Sequence, residues 1–196
     1  MQIDNKKFYN ASLKKYGKTA QGLHWNSQEV QQIRFKQLMD LLPKEMAHYT
    51  MIDAGCGFGD LYLYLQKQKR LPLQYTGLDC MDVMVTEARQ RTSCDIFSCD
   101  ILRDPLMEAD FYCCSGAMNI LDPFETQLFI RRCYDAARYG FVFNILRGER
   151  DDLLYNYMQV EAIEAIATTL KATCKITTGY LEYDMSVALY KQEVFG

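Results

Sequence analysis

Histidine and proline are scarce in this sequence: two of the first, His24 and His48, and four of the second among 196 residues. With so few histidines and no Cys-x-x-Cys spacing, no zinc ligand set can be assembled, and no metal is expected. With few prolines and no low-complexity stretch, no interdomain linker is visible, so a single domain over residues 1–196 is expected. No apolar run reaches the roughly 18 residues that a membrane-spanning helix needs. The first residues, MQIDNKKFYN, lack the apolar core of a signal peptide. A basic surplus is missing too: 22 Lys and Arg stand against 25 Asp and Glu, for a net charge of −3. That is not the footprint of a general nucleic-acid binder. The expectation is a cytoplasmic chain without a membrane partner or an evident nucleic-acid partner. Nothing in the sequence indicates an oligomeric state.

Apolar residues, by contrast, make up 49% of the chain, enough for a substantial core. Eight cysteines are present, at 56, 80, 94, 99, 113, 114, 133 and 174. In a chain with no secretory signal they read as reduced thiols serving as small apolar residues.

Short apolar runs alternate with amphipathic stretches. Residues 4–16 suggest a short helix and 17–26 a polar loop. Ser27 is a plausible N-cap for a helix ending near Pro43, with Val30, Ile33, Leu38, Leu41 and Leu42 on or near one face. Strands are expected at 50–54, 73–79, 94–100, 111–114 and 141–146, and helices at 60–70, 82–91, 123–139 and 152–172. Segments 174–181 and 184–191 would form a terminal antiparallel pair around Glu182–Tyr183. Strands separated by helices call for parallel crossover units. Ligands of such sheets bind at the carboxyl ends of the strands, near the point where strand order reverses.

The strongest motif lies at such an end. Asp53-Ala54-Gly55-Cys56-Gly57-Phe58-Gly59-Asp60 follows a strand and opens a helix. Glycines there let the chain turn tightly and let a ligand approach the backbone. About 20 residues further on, Asp79 ends the next strand, a spacing that suits a carboxylate accepting from ribose hydroxyls. Asp100 ends the third strand, where a carboxylate suits an adenine amino group. A dinucleotide would rest its pyrophosphate on the helix start. Here the pattern is G-x-G-x-G followed by Asp60, and a carboxylate at that position disfavours phosphate. A ligand bearing an ammonium group fits better.

At these residues the chain resembles the class I S-adenosylmethionine-dependent methyltransferases. IDAGCGFGD resembles their first motif, GLDCMDVM the second, CDIFSCDIL the third and DFYCCSGAMNIL the fourth-strand segment. FVFNIL and CKITTGYLEYDMSVALYK resemble the last strands. The resemblance implies an α/β fold: a Rossmann-like, doubly wound seven-stranded sheet whose last strand is antiparallel, with helices on both faces. Residues 48–191 would be the core and 1–47 an N-terminal helical lid. It implies S-adenosyl-L-methionine as cofactor. Asp53, Gly55 and Gly57 would contact its methionine part, with Cys56 in the same loop. Asp79 would bind the ribose, with Cys80 and Met81 beside the adenine. Asp100 and Ile101 would hold the adenine, and Ser115 would lie near the transferred methyl.

No catalytic residue stands out. The (Asn/Asp)-Pro-Pro-(Tyr/Phe) motif of some amino-group methyltransferases is absent from 115–120, which reads SGAMNI. That counts against adenine in DNA or a glutamine amide as acceptor. The expected substrate is a small molecule, with His24, Trp25, Arg34 and Asn119 as substrate-side candidates. Arg34 suits a substrate carboxylate. Two other readings stand beside this one: a nucleotide-cofactor oxidoreductase, and a non-catalytic cofactor-binding protein acting through a partner.

Overall fold

The structure, a computed structural model, describes residues 28–149 and 155–191. The expected helix at 4–16, the loop at 17–26 and the Ser27 cap lie outside the described residues, as do His24 and Trp25.

Helix α1 (Gln28–Leu41) leads through a short 3-10 turn (Met46–His48) into β1 (Thr50–Ala54). Then follow α2 (Asp60–Lys67), β2 (Gln74–Asp79), α3 (Asp82–Thr92), β3 (Asp95–Ser98) and β4 (Ala109–Ser115). A second 3-10 turn (Ala117–Ile120) precedes α4 (Pro123–Ala136) and β5 (Ala137–Arg147). The chain closes with β6 (Tyr157–Met158), α5 (Val160–Leu170), β7 (Thr173–Thr178) and β8 (Asp184–Tyr190). The sheet order is β3-β2-β1-β4-β5-β8-β7, with β6 pairing beside β5. β8, the last strand, runs antiparallel to both neighbours, and the other pairs are parallel. This is the doubly wound sheet expected from the motifs.

Alternation along the strands divides the core in two. Met51 on β1, Tyr75 on β2, Phe111 and Cys113 on β4, Val142 on β5 and Ala188 on β8 share one face. Phe35 and Leu38 of α1, Leu61 and Leu65 of α2, and Val85 and Ala88 of α3 cover it. The other face carries Ile52, Leu78, Tyr112, Cys114, Phe141, Phe143 and Val187, covered by α4 and α5 through Phe129, Ile130, Cys133, Ile163 and Ala167. All eight cysteines are free thiols, and Cys56, Cys99, Cys113, Cys114 and Cys133 are buried. Among the described residues no helix is long and apolar enough to cross a membrane.

Several boundaries differ from the sequence reading. The helix at 60–70 ends at Lys67, because Lys69 turns left-handed at φ 56° and Arg70 donates to the carbonyls of Met39 and Pro43. The helix at 123–139 stops at Ala136, and the next strand begins at once, because Ala137 pairs with Ala109 of β4. Within the helix expected at 152–172, Tyr157 and Met158 instead extend the sheet against Leu146 and Arg147, and α5 starts only at Val160. An apolar run does not reveal its period when aromatic and long side chains fill every position.

The larger correction concerns α1. Its buried residues are Gln31, Arg34, Phe35, Leu38 and Met39, while Ile33 is exposed. Arg34 was expected to meet a substrate carboxylate. It meets a carboxylate of the chain itself: its Nε and Nη2 donate to Oδ2 of Asp184 at 2.8 and 2.5 Å. That ion pair rotates the helix so that an arginine lies inward and an isoleucine outward. Residues 28–41, assigned with 1–47 to a lid, therefore form a layer of the core.

Candidate active site

The chain winds outward from β1 through β2 to β3, then crosses back to lay β4 on the other side of β1. The connections leaving β1 and β4 diverge there, at the switch point where ligands of such sheets bind. The glycine loop lies on one side of it. Gly55, Gly57 and Gly59 all adopt positive φ, at 79°, 55° and 77°. At Gly55 a Cβ would lie 2.4 Å from the Cβ of Ala117, on the loop leaving β4. Only glycine lets the two loops approach so closely.

Hydrogen bonds knit the first three strand ends together. The N–H groups of Gly55 and Cys56 both donate to the carbonyl of Leu78, at 2.8 and 3.0 Å. Asp79 Oδ2 accepts from the Gly57 N–H and Oδ1 from the Met81 N–H, each at 2.9 Å. The Asp79 carbonyl accepts from the Cys99 N–H at 3.0 Å. Asp79 is thus a ligand of two loops as well as a carboxylate at a strand end. Burial pushes its pKa up to about 6, against the pull of the Met81, Gly57 and Cys80 amides.

Asp53 is more deeply enclosed, at 2% exposure. Its Oδ2 accepts the Tyr75 hydroxyl at 2.6 Å. Burial pushes its pKa up to about 7; the Tyr75 bond opposes that, and the charges of Asp79 and Asp60 add to it. Two buried carboxylates therefore sit at one end of the sheet, each costly to ionise and each favoured by a cation. Asp60, at the start of α2, is held by Arg91 at 2.6 Å and by Gln31 at 3.2 Å.

The remaining predicted residues fall around the same rim. Cys56 and Ile101 are buried and Cys80 is exposed. Met81 packs with Phe58 and Met84 in a small cluster beside the glycine loop. Asp100 is half-buried, beyond the end of β3 at Ser98, and its Oδ1 accepts from the Leu102 N–H at 3.0 Å. Ser115 ends β4 and donates to Asn144 Oδ1 at 3.0 Å; Asn144 Nδ2 in turn donates to the Arg34 carbonyl at 3.2 Å. Asn119 is buried, and its Oδ1 accepts from the Leu146 N–H at 3.1 Å, which joins the β4 loop to β5. The thiols of Cys56, Cys113, Cys114 and Cys133 are all pushed up by burial, the opposite of what a reactive cysteine needs.

Sequence reasoning missed Tyr75, Asp184 and Gln31. A signal existed for Asp184, an acid that opens the largely apolar run MSVALY. A buried acid requires a buried donor.

Residues 51–140 match the family model of the methyltransferase domain. Solved structures share the fold. Magnesium protoporphyrin IX methyltransferase from Synechocystis PCC 6803, with S-adenosylhomocysteine bound, is 13% identical, at a TM-score of 0.73 over 95% of this chain and 98% of that one. DhpI in a complex with S-adenosylmethionine and HEP is 12% identical, at a TM-score of 0.71 over 93% and 94%. The pyocyanin biosynthetic protein PhzM is 17% identical, at a TM-score of 0.69 over 93% and 62%. No curated protein sequence matches the chain. The structural likenesses establish the fold. Residues 51–140 thus match a methyltransferase domain, on a fold shared with methyltransferases solved with S-adenosylmethionine or S-adenosylhomocysteine bound.

Proposed function

We propose that the protein methylates a small molecule in the cytoplasm, holding S-adenosylmethionine across the carboxyl ends of β1, β2 and β3. The observation that carries this reading is the pairing of a backbone cradle at Gly55 and Gly57 with two buried carboxylates, Asp53 and Asp79. Glycine at these positions would let a ligand approach the main chain. The carboxylates suit an ammonium group and ribose hydroxyls. A pyrophosphate would meet three acids there, counting Asp60 at the helix start, which supports the methyltransferase reading over a nicotinamide enzyme.

When bound, the cofactor supplies a methyl group already activated by a positive sulfur. The residues of the chain then have to bind, orient and exclude water. Asp53 and Gly55 would take the methionine part, with Gly57 and Cys56 completing the loop. Asp79 has lone pairs left for the ribose after serving Gly57 and Met81. Met81, Ile101 and Cys80 would flank the adenine and Asp100 would accept from its edge. Ser115, fixed by Asn144, would stand beside the methyl group. Asn119 braces the loop on the acceptor side, and His24 and Trp25 are proposed to lie on that side too. Eight free cysteines support a reducing compartment.

The test is methyl transfer from tritium-labelled S-adenosylmethionine in a cell extract separated afterwards into protein, nucleic acid and low-molecular-weight fractions. Label in the last fraction supports the proposal. Label confined to protein or nucleic acid overturns it.

A further inference from the structure

Tyr75 lies outside every motif, in the body of β2, yet its hydroxyl ends on the Asp53 carboxylate at 2.6 Å. The length is that of a charge-assisted O–H···O⁻ bond. The phenol is buried at 6% exposure, and Tyr62 packs edge-on against it with ring centroids 5.1 Å apart. Strand alternation puts Tyr75, Gly77 and Asp79 on one face of the sheet. Gly77 leaves room there: a Cβ would lie 2.8 Å from the Cys56 Sγ and 2.6 Å from Ile96 Cδ1.

We infer that Tyr75 is a positioning residue for the cofactor, donating to Asp53 Oδ2 and fixing the carboxyl group so that Oδ1 receives the cofactor's ammonium group. This rests on the cofactor assignment made above and deepens it.

The surroundings of Asp53 explain why such a donor is needed. Facing it are Tyr75 and Asp79 from β2, Asp60 from α2, Cys56 from the glycine loop and Cys113 from β4, with Cys114 behind it on the other face of the sheet. None of these is a cation. Burial and two neighbouring carboxylates all favour the protonated acid, and the Tyr75 hydroxyl is the group that favours the anion. Tyr75 itself keeps its proton, because burial and the Asp53 charge push the phenol well above its ordinary range. It thus acts as a fixed donor in every state of Asp53. Without it, the anion that attracts an ammonium group would form only at higher pH.

The experiment is calorimetry of S-adenosylhomocysteine binding across pH, in the wild-type chain and in Tyr75→Phe. Methylthioadenosine, which lacks the amino-acid part, serves as a second probe. Removing one hydrogen bond to a charged group is expected to move the inflection of the pH profile upward by about one to two units. Near neutral pH, S-adenosylhomocysteine binding should weaken roughly tenfold or more. Methylthioadenosine binding should not change. A Tyr75→Phe profile that overlays the wild type overturns the role of Tyr75. So does equal weakening of both probes, which would mark general damage to the site. Should Tyr75→Phe fold poorly, Asp53→Asn provides the second arm: its binding should lose the upper inflection, and an inflection that survives overturns the inference. Wild-type protein that binds neither probe overturns the cofactor assignment itself, and the inference with it.

Discussion

Replacing Arg34 with methionine tests how the first described helix is held to the sheet. The guanidinium donates twice to Oδ2 of Asp184, and both side chains are shielded, at 10% and 4% exposure. Among the described residues Tyr180 is the other polar contact of this carboxylate, at 3.5 Å to Oδ1, and its hydroxyl is shared with Ser186 Oγ at 2.8 Å. Burial already holds the Asp184 carboxyl above its usual range, with the guanidinium pulling it down. Removing the cation leaves a buried charge with one long hydrogen bond. Breaking a buried pair from one side costs about 3–5 kcal/mol. The cost should depend on pH with a definite sign. The folded pKa of Asp184 in Arg34→Met lies still further above the unfolded value, so the folded state binds the extra proton and stability falls as pH rises through that pKa. The loss should therefore be larger at about pH 8 than at about pH 5. The mirror variant, Asp184→Asn, removes the group that titrates, so its loss should be the same at both pH values. Arg34→Met with Asp184→Leu replaces the pair by apolar groups and should recover most of the loss. The assay is urea denaturation at both pH values, read as the midpoint at constant slope. A loss below about 1 kcal/mol, typical of an exposed pair, would refute the reasoning. So would an Arg34→Met loss that does not change with pH.

Gly55→Ala should weaken S-adenosylhomocysteine binding at least tenfold, because it combines left-handed strain with a Cβ 2.4 Å from Ala117; calorimetry checks it, and unchanged affinity would place the ligand elsewhere. Binding should also weaken as pH falls through the region from about 7 to about 6, where Asp53 and Asp79 take up protons, so binding near pH 6 should release protons. Titration in buffers of different ionisation enthalpy measures that release, and net proton uptake would contradict the assignment. Asp79→Ala should cost about 1.5–3 kcal/mol in cofactor affinity, since it removes a charged acceptor and frees the Gly57 and Met81 amides; the ratio of dissociation constants reports it. Asp122→Ala should lower stability by about 1 kcal/mol without touching binding, because Asp122 caps α4 in a reciprocal box with Glu125; thermal unfolding with and without cofactor separates the two effects.

The strand ends were legible because their chemistry is local. Glycine at three alternate positions after an apolar run, then acids at even spacing, follows from turn geometry and strand length alone, and Gly55 and Asp79 lie where that pattern puts them. What the sequence concealed is pairing across distance. Arg34 and Asp184 lie 150 positions apart, and an arginine on a helix carries no mark of burial until the strand opposite is known. Tyr75 in the expected strand at 73–79 reads as core, and only the register of β2 on β1 brings its hydroxyl to Asp53. The β6 segment was obscured for another reason: two residues paired to the end of β5 have no period to detect.

The central claim is that the switch point holds S-adenosylmethionine rather than a dinucleotide. Calorimetry of the purified protein with S-adenosylhomocysteine, and separately with both nicotinamide dinucleotides, tests it most directly. One saturable site for S-adenosylhomocysteine and no saturable heat with either dinucleotide are expected. Binding of a dinucleotide alone would contradict it.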